Sequence, residues 1–312
     1  MTHNIKQPTD PRFALKDRLL LVGMALPLVT GMVLKALFVP PANGIEISGA
    51  HIFLTVKLPV LGDWPITETQ VNSWLVMVTI FFFCRWLTHG LQPEGGTRRQ
   101  HVAEWIVEQT DGLVQSNMGD YFKDFSPFIG AVLALSAFSS LISLLGLFPP
   151  TSDINVTAGW ALLVFFLITY YKMKCGPLHY LKSFGEPVAF LAPLNVISEF
   201  ATPVSMAFRH YGNILSGTVI SVLMAAALQG LTQLLLGWLP GFLGEFPFFR
   251  IGLPAVLSVY FDLFSGCLQA FIFAMLTMLY VAGGFPEEDY KKKQAKKNKK
   301  KLKAALSTER FQ

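Results

Sequence analysis

Six blocks of apolar residues dominate the chain: residues 19–39, 71–87, 127–148, 156–171, 203–235 and 251–282. About 20 such residues in a helix cross a hydrocarbon core of roughly 30 Å, so each block predicts a membrane span. Pro149 and Pro150 stop the third block, because proline cannot continue an interior helical hydrogen bond. The fifth block follows a stretch that is apolar almost without break from Pro187. From residue 203 to 235 alone, a rise of ~1.5 Å per residue gives roughly 50 Å, and the sixth block comes to about 48 Å. Both overshoot the core, which predicts helices that tilt steeply or bend. Trp238, Pro240 and Gly241 supply the turn between them.

Two stretches follow other patterns. Residues 44–69 alternate apolar and polar positions around residues 52–58 with Gly and Pro punctuation, which predicts a small hairpin outside the membrane with Trp64 as an interfacial anchor. Residues 98–118 place Val102, Trp105, Ile106 and Leu113 among Glu104, Glu108 and Asp111 at helical spacing. That pattern fits an amphipathic helix at the interface and equally a solvated helix packed on a partner.

Basic residues set the orientation. They fall before the first block (Lys6, Arg12, Lys16, Arg18), between residues 88 and 124, at Lys172, Lys174 and Lys182, and in the tail. Six spans put all four groups on one side, which the positive-inside rule makes cytoplasmic, and Arg85 is read as a topological anchor. The first block also admits a cleaved signal peptide, although Pro40 and Pro41 spoil a clean processing site and Lys35 interrupts the apolar run.

Composition agrees with an all-α polytopic membrane protein: 52% of the 312 residues are hydrophobic and only 14% charged, and the mean hydropathy is +0.47, where soluble domains carry about 25% charge. Nine lysines between residues 291 and 303, set against a net charge of +5, leave the body at −4. That run predicts a disordered, lysine-rich cytoplasmic tail able to lie against anionic lipid headgroups. Cys84, Cys175 and Cys267 read as small hydrophobes and not as a disulfide framework or zinc site. No nucleotide-binding, metalloprotease or nucleophile-elbow motif occurs, so no metal, cofactor or nucleic-acid partner is expected. The chain divides into an N-terminal extension (1–65) with one span and an outer loop, a core (66–285) and the tail (286–312).

Two polar stripes break the apolar blocks. Arg209 stands deep in the fifth, where a guanidinium cannot shed its proton and requires a wet cleft, a carboxylate or both. Snorkelling to the headgroups is the bland alternative, but the helix continues well past Arg209. Asn213 and Ser216 lie one and two turns on, which predicts one shared face with Gly212 and Gly217 thinning the helix beside it. In the sixth block Asp262 and Gln269 are two turns apart on one face, with Ser265 and Gly266 between. An apolar site raises a carboxyl pKa into a range where protons load and unload, so Asp262 reads as a relay, or as an acid satisfied by nearby hydroxyls. Asp153 and Asn155 are candidates for the lining of an outer ion entrance or for a helix N-cap.

The run from Pro203 to Gly217, P-V-S-M-A-F-R-H-Y-G-N-I-L-S-G, resembles the arginine helix of subunit a of F-type ATP synthases. Further motifs follow in that family's order: Gln100 with Glu104, S-P-F at 126–128, L-L-G-L-F-P at 144–149, D-I-N-V-T at 153–157, Y-L-K-S-F-G-E-P at 180–187, P-L-N at 193–195, and the stretch 268–280. The resemblance covers roughly residues 66–283. It implies a bacterial plasma-membrane stator subunit whose last two helices form a tilted hairpin against the c-ring and whose 98–118 helix lies at the interface. The b subunits of the peripheral stalk and the remaining synthase subunits are the other implied partners, besides membrane lipids. Two half-channels would pass ions to ring carboxylates, with Arg209 separating them, Asn213 and Gln269 positioning it, and Asp262 on the outer side. Thr218 departs from the family, which often has Glu or His there; Glu199 is the candidate compensating acid on the other side. His210 points about 100° away from Arg209, so packing comes before relay. The coupling ion is open between proton and sodium. A self-contained secondary transporter is the rival; it would favour inverted repeats, and none is visible. A membrane-embedded hydrolase is weaker still, since no nucleophile–base pair stands out.

Overall fold

The computed structural model describes residues 11–39, 49–59, 62–93, 96–185, 189–236, 252, 256–257, 259–288, 290–293, 295 and 298. Six of its helices are long and apolar enough to cross a membrane. The first, α1 (Pro11–Phe38), starts earlier than its apolar block predicts. It runs antiparallel to α2 (Glu68–Leu87) at two glycine notches: Gly23 sits against Phe82, and Gly31 against Leu75 and Leu147. Its ends are tied as well. Asp17 accepts from Arg99 at 2.7 Å and lies 3.0 Å from His89 Nδ1, while Lys35 donates to the Gly146 carbonyl. So the segment with two sequence readings is packed into the bundle.

Between α1 and α2, strands β1 (Ile52–Leu58) and β2 (Gly62–Thr67) form the expected antiparallel hairpin. Next comes α3 (Arg98–Met118), capped by Thr97 and ended by Gly119 at φ 79°, which packs Val114 and Met118 inward and leaves Val102, Trp105 and Ile106 exposed. The third span is shorter as an α-helix than its block: α4 (Ser126–Leu141) tightens into a 3₁₀ turn over Ile142–Leu145. Gly146 then adopts the left-handed conformation at φ 74°, so the helix stops before the prolines are reached. Then follow α5 (Ile154–Met173), the short α6 (Pro177–Ser183) and α7 (Ala192–Leu236). With 45 residues, α7 is roughly 67 Å long at ~1.5 Å per residue, more than twice a hydrocarbon core. A π-helical stretch (Val259–Ser265) leads into α8 (Gly266–Gly284). Trp238, Pro240 and Gly241 lie outside the described residues.

The packing is that of a protein in lipid. Ser136, Ser139, Ser140, Thr157 and Thr277 are buried, while Phe190 is 87% and Leu234 79% exposed. With no water to drive apolar burial, small and hydroxyl-bearing residues collect where helices meet, and large apolar side chains face outward. The core cluster joins α3, α4, α5, α7 and α8 through Val114, Ile129, Val164, Met206, Phe273 and Met278.

At the far end of α8 the structure differs from the expected tail. Residues 290–293 are helical, and Lys293 donates to the Cys175 carbonyl at 2.9 Å. The aromatic rings of Tyr121, Tyr170, Tyr171, Phe285 and Tyr290 stand within 6 Å of Lys174 Nζ. Tyr121 also accepts from that ammonium at 2.9 Å. The start of the run is thus held by the Lys293 bond to a backbone carbonyl and by Tyr290 in the ring cluster around Lys174, contacts that charge counting cannot see. From residue 299 on, the tail lies outside the described residues.

Candidate functional site

Pro203 opens the arginine stretch inside α7 without kinking it out of helical geometry; lacking an N–H, it leaves the Glu199 carbonyl without its helical donor. Six residues later Arg209 lies on the outer surface of the bundle, exposed, and among the described residues no carboxylate pairs with it. Ser216, on the same side, is exposed and turns its hydroxyl back to the Asn213 carbonyl at 3.0 Å. A Cβ added at Gly212 meets nothing within 4 Å, so the surface beside the arginine is open.

Asn213 is shared with the neighbouring helix. Ser265 donates to Asn213 Oδ1 at 2.9 Å, and the Asn213 amide donates back to the Ser265 carbonyl at 3.4 Å. This pair joins α7 to the π-helical stretch that carries Asp262, which is half-buried. The two elements come close because Gly217 has no side chain: a Cβ there falls 3.1 Å from Phe261. A second notch lies one turn on, where a Cβ at Gly266 meets Ser140 Cβ at 2.7 Å. Gln269 follows and is buried. Single-turn π segments recur at functional positions because they re-aim side chains within a helix.

The remaining candidates separate. His210 is fully buried, 3.2 Å from Ser136 Oγ through Nε2, with its ring edge-on to Trp160 and Phe273. Its Nδ1 is buried without a partner among the described residues. The Thr218 hydroxyl donates to the Ile214 carbonyl at 3.0 Å, a bond within its own helix. At the other end of the bundle Asp153 caps α5, accepting from the Asn155 backbone at 2.9 Å and side chain at 3.0 Å, and Thr69 of α2 donates to its second oxygen at 2.8 Å. Glu68 beside it is 2% exposed, with Oε1 lacking a partner. Sequence reading passed over Glu68 because an acid in a first helical turn looks like an ordinary dipole partner.

Glu199 lies three turns before Arg209, roughly 15 Å along the axis. Lys172, at the end of α5, donates to its Oε2 at 2.5 Å, and Tyr180 reaches Oε1 at 3.5 Å. A cavity of about 510 Å³ opens here, lined by Lys172, Tyr180, Asn195, Ser198, Glu199 and Thr202. Burial, helped by the Glu199 carboxylate, pushes the Tyr180 phenol above its ordinary value, so it stays a donor. From sequence Lys172 is only one of the basic residues that set the orientation. Its true partner is 27 residues away and leaves no local pattern.

The geometry therefore offers a polar cavity with an acid at one end, a polar seam with an acid between α7 and α8, and an outward arginine between them along α7. Among the described residues no His, Cys, Asp and Glu cluster suited to a metal occurs. Residues 70–282 match the family described as ATP synthase A chain. The chain is 30% identical over 246 residues to the "ATP synthase subunit a, sodium ion specific" of Propionigenium modestum, covering 73% of this chain and 77% of that one. It is 33% identical over 244 residues to an ATP synthase subunit a of Priestia megaterium (72% and 95% covered). To that of Legionella pneumophila strain Paris it is 27% identical over 233 residues (74% and 92%). Arginine helix, motif order and matched span agree: the chain belongs to the ATP synthase A chain family.

Proposed function

We propose that this chain is the stationary half of the ion path of an F-type ATP synthase in a bacterial plasma membrane, passing protons to and from carboxylates on a rotating c-ring. The carrying observation is Arg209: a permanent charge, exposed in mid-helix on an apolar outer face, with no carboxylate of its own chain among the described residues. Its partner is then a carboxylate on another subunit. A fixed guanidinium favours the ionised form of that group and expels its proton. Each ring carboxylate therefore passes the arginine only when empty.

Protons from outside reach the ring through the seam of Asp262, Asn213, Ser265 and Gln269, with Asp153, Asn155 and Glu68 toward its mouth. Those leaving toward the cytoplasm use the cavity of Glu199 and Tyr180. The Ser265 bond holds Asn213 beside Arg209, and Thr218 leaves Asp262 as the acid of the seam. Each charge crossing delivers about 2.3 kcal/mol per 100 mV, which rotation carries to catalytic subunits elsewhere in the complex. This chain performs no ATP chemistry itself. Both termini face the cytoplasm on the basic-residue pattern.

In this reading Arg209→Ala abolishes ion-driven ATP synthesis in vesicles while c and b subunits still co-purify with the chain. Arg209→Lys does not restore it fully, because lysine lacks the planar fork and neutralises when desolvated. Substantial synthesis by Arg209→Ala, or purification of an active chain without ring and stalk, overturns the assignment. Sodium is the second reading, favoured by the name of the Propionigenium modestum relative. ATP synthesis that requires sodium at fixed pH selects it.

A further inference from the structure

The β1–β2 hairpin takes no part in the ion path, yet its two faces differ sharply. In its register Leu54 opposes Ile66 and Val56 opposes Trp64, so these four side chains share one face. Thr55 opposes Pro65 and Lys57 opposes Asp63 on the other. Leu54 is 58% and Trp64 47% exposed. An isolated two-stranded hairpin is marginal in water, and among the described residues this one leaves Leu54, Val56 and Trp64 exposed and Ile66 half-exposed.

Its position narrows what can cover that face. β2 runs without a break into α2, the Glu68 amide donates to the His51 carbonyl at 2.7 Å, and the Phe53 ring sits 5.7 Å from Phe38 at the end of α1. Both ends are therefore held at the ends of membrane spans, on the side opposite the Asp17–Arg99 tie. A sheet tethered there lies at the headgroup level, where tryptophan is favoured and an apolar face gains by entering the acyl boundary. Lys57 and Asp63 oppose each other on the far face and offset each other's charge, so the attraction needs no anionic lipid.

We propose that the hairpin is a membrane-surface anchor: Leu54, Val56, Trp64 and Ile66 lie in the outer leaflet of the bilayer, and Thr55, Lys57 and Asp63 face water. It thereby sets the depth at which α2 begins, and with it the Thr69 hydroxyl that holds Asp153. The test uses the whole complex in lipid nanodiscs, with an environment-sensitive fluorescent amino acid placed genetically at position 54, 56 or 55. The expected result is blue-shifted emission at 54 and 56, quenched by spin-labelled lipid about twofold or more above position 55, with the reverse order for aqueous iodide. Equal iodide quenching at all three positions overturns the proposal. Protection of 54 and 56 from both quenchers also overturns it, by showing that a protein surface covers the face. Vesicles of neutral phosphatidylcholine should give the same order as anionic ones; loss of the lipid contact in neutral vesicles would refute the apolar basis.

Discussion

The Lys172–Glu199 pair can be broken from either side, and the two breaks differ in size for a reason visible in the structure. Glu199 is the more buried partner, its side chain 9% exposed against 27% for Lys172. Its second oxygen has only the 3.5 Å reach of Tyr180, at the limit of a hydrogen bond. In Lys172→Met the carboxylate keeps its burial and loses its main donor, a change that costs about 3–5 kcal/mol for fully buried pairs. The partial exposure of Lys172 and the polar cavity place this case at the lower end, about 2–3 kcal/mol. Glu199→Gln strands a lysine that can turn toward water, so it costs less, about 1 kcal/mol. The double substitution removes both charges and should recover most of the loss, giving a coupling of roughly 2 kcal/mol in a double-mutant cycle. The assay is thermal inactivation of the purified complex, with ATP-driven pumping measured alongside. Pumping should fall in Glu199→Gln even where stability is kept, because the amide cannot carry a proton, and should be partly kept in Glu199→Asp. Additive losses in the cycle, or normal pumping by Glu199→Gln, would refute both the pairing and its place in the inner path.

Asp262→Asn should slow ion flux at least tenfold while Asp262→Glu retains part of it, about the effect of removing one positioned proton carrier; unchanged flux in Asp262→Asn returns that acid to a structural role. Gly266→Ala should destabilise the complex by about 1–3 kcal/mol, since the new Cβ would sit 2.7 Å from Ser140 Cβ. Ser140→Gly should restore assembly, and a Gly266→Ala complex of normal thermal stability would show that the notch is not tight. Truncation after Lys293 should leave complex yield and pumping intact, whereas truncation after Phe285 removes Tyr290 from the ring cluster and Lys293 from the Cys175 carbonyl. Equal yield for the two truncations, read on a blue native gel, would deny the docked segment any structural part.

The spans were legible because a hydrocarbon core imposes a length, and four blocks near that length and two longer ones can be counted without any contact. Arg209 was legible for the same reason, as a charge where charge is expensive. What escaped were partners distant in sequence. Asn213 finds Ser265 52 residues on, His210 finds Ser136 74 residues back, and Asp17 ties α1 to Arg99 across 82. The single face predicted for Arg209, Asn213 and Ser216 is split by the packing. A spread of about 40° around a helix is enough to turn Asn213 toward the neighbouring stretch while Arg209 and Ser216 face outward. The third span ended early through the left-handed turn at Gly146, a feature overshadowed in sequence by the two prolines that follow. The first turn of the tail departs from the expectation because charge repulsion is additive along a sequence, whereas one carbonyl and the place of Tyr290 in a ring cluster suffice to hold it.

The energetics of Arg209 explain why this face belongs to an assembly. A lone guanidinium in a bilayer costs about 3 kcal/mol on insertion scales and far more on an isolated helix in hydrocarbon. Around it, Val204, Phe208, Ile220 and Leu223 are all exposed, so the surface would suit lipid in every respect but the charge. Among the described residues no polar side chain covers the guanidinium: Asn213 is occupied by Ser265, Ser216 by its own helix, and Glu199 by Lys172. Under the proposed function, a partner subunit that brings its own carboxylate would offset the cost for the time of contact, and only in the ionised state. The same charge, unpaired among the described residues, thus makes the isolated subunit expensive in lipid and, in the proposed function, is what a passing carboxylate would meet.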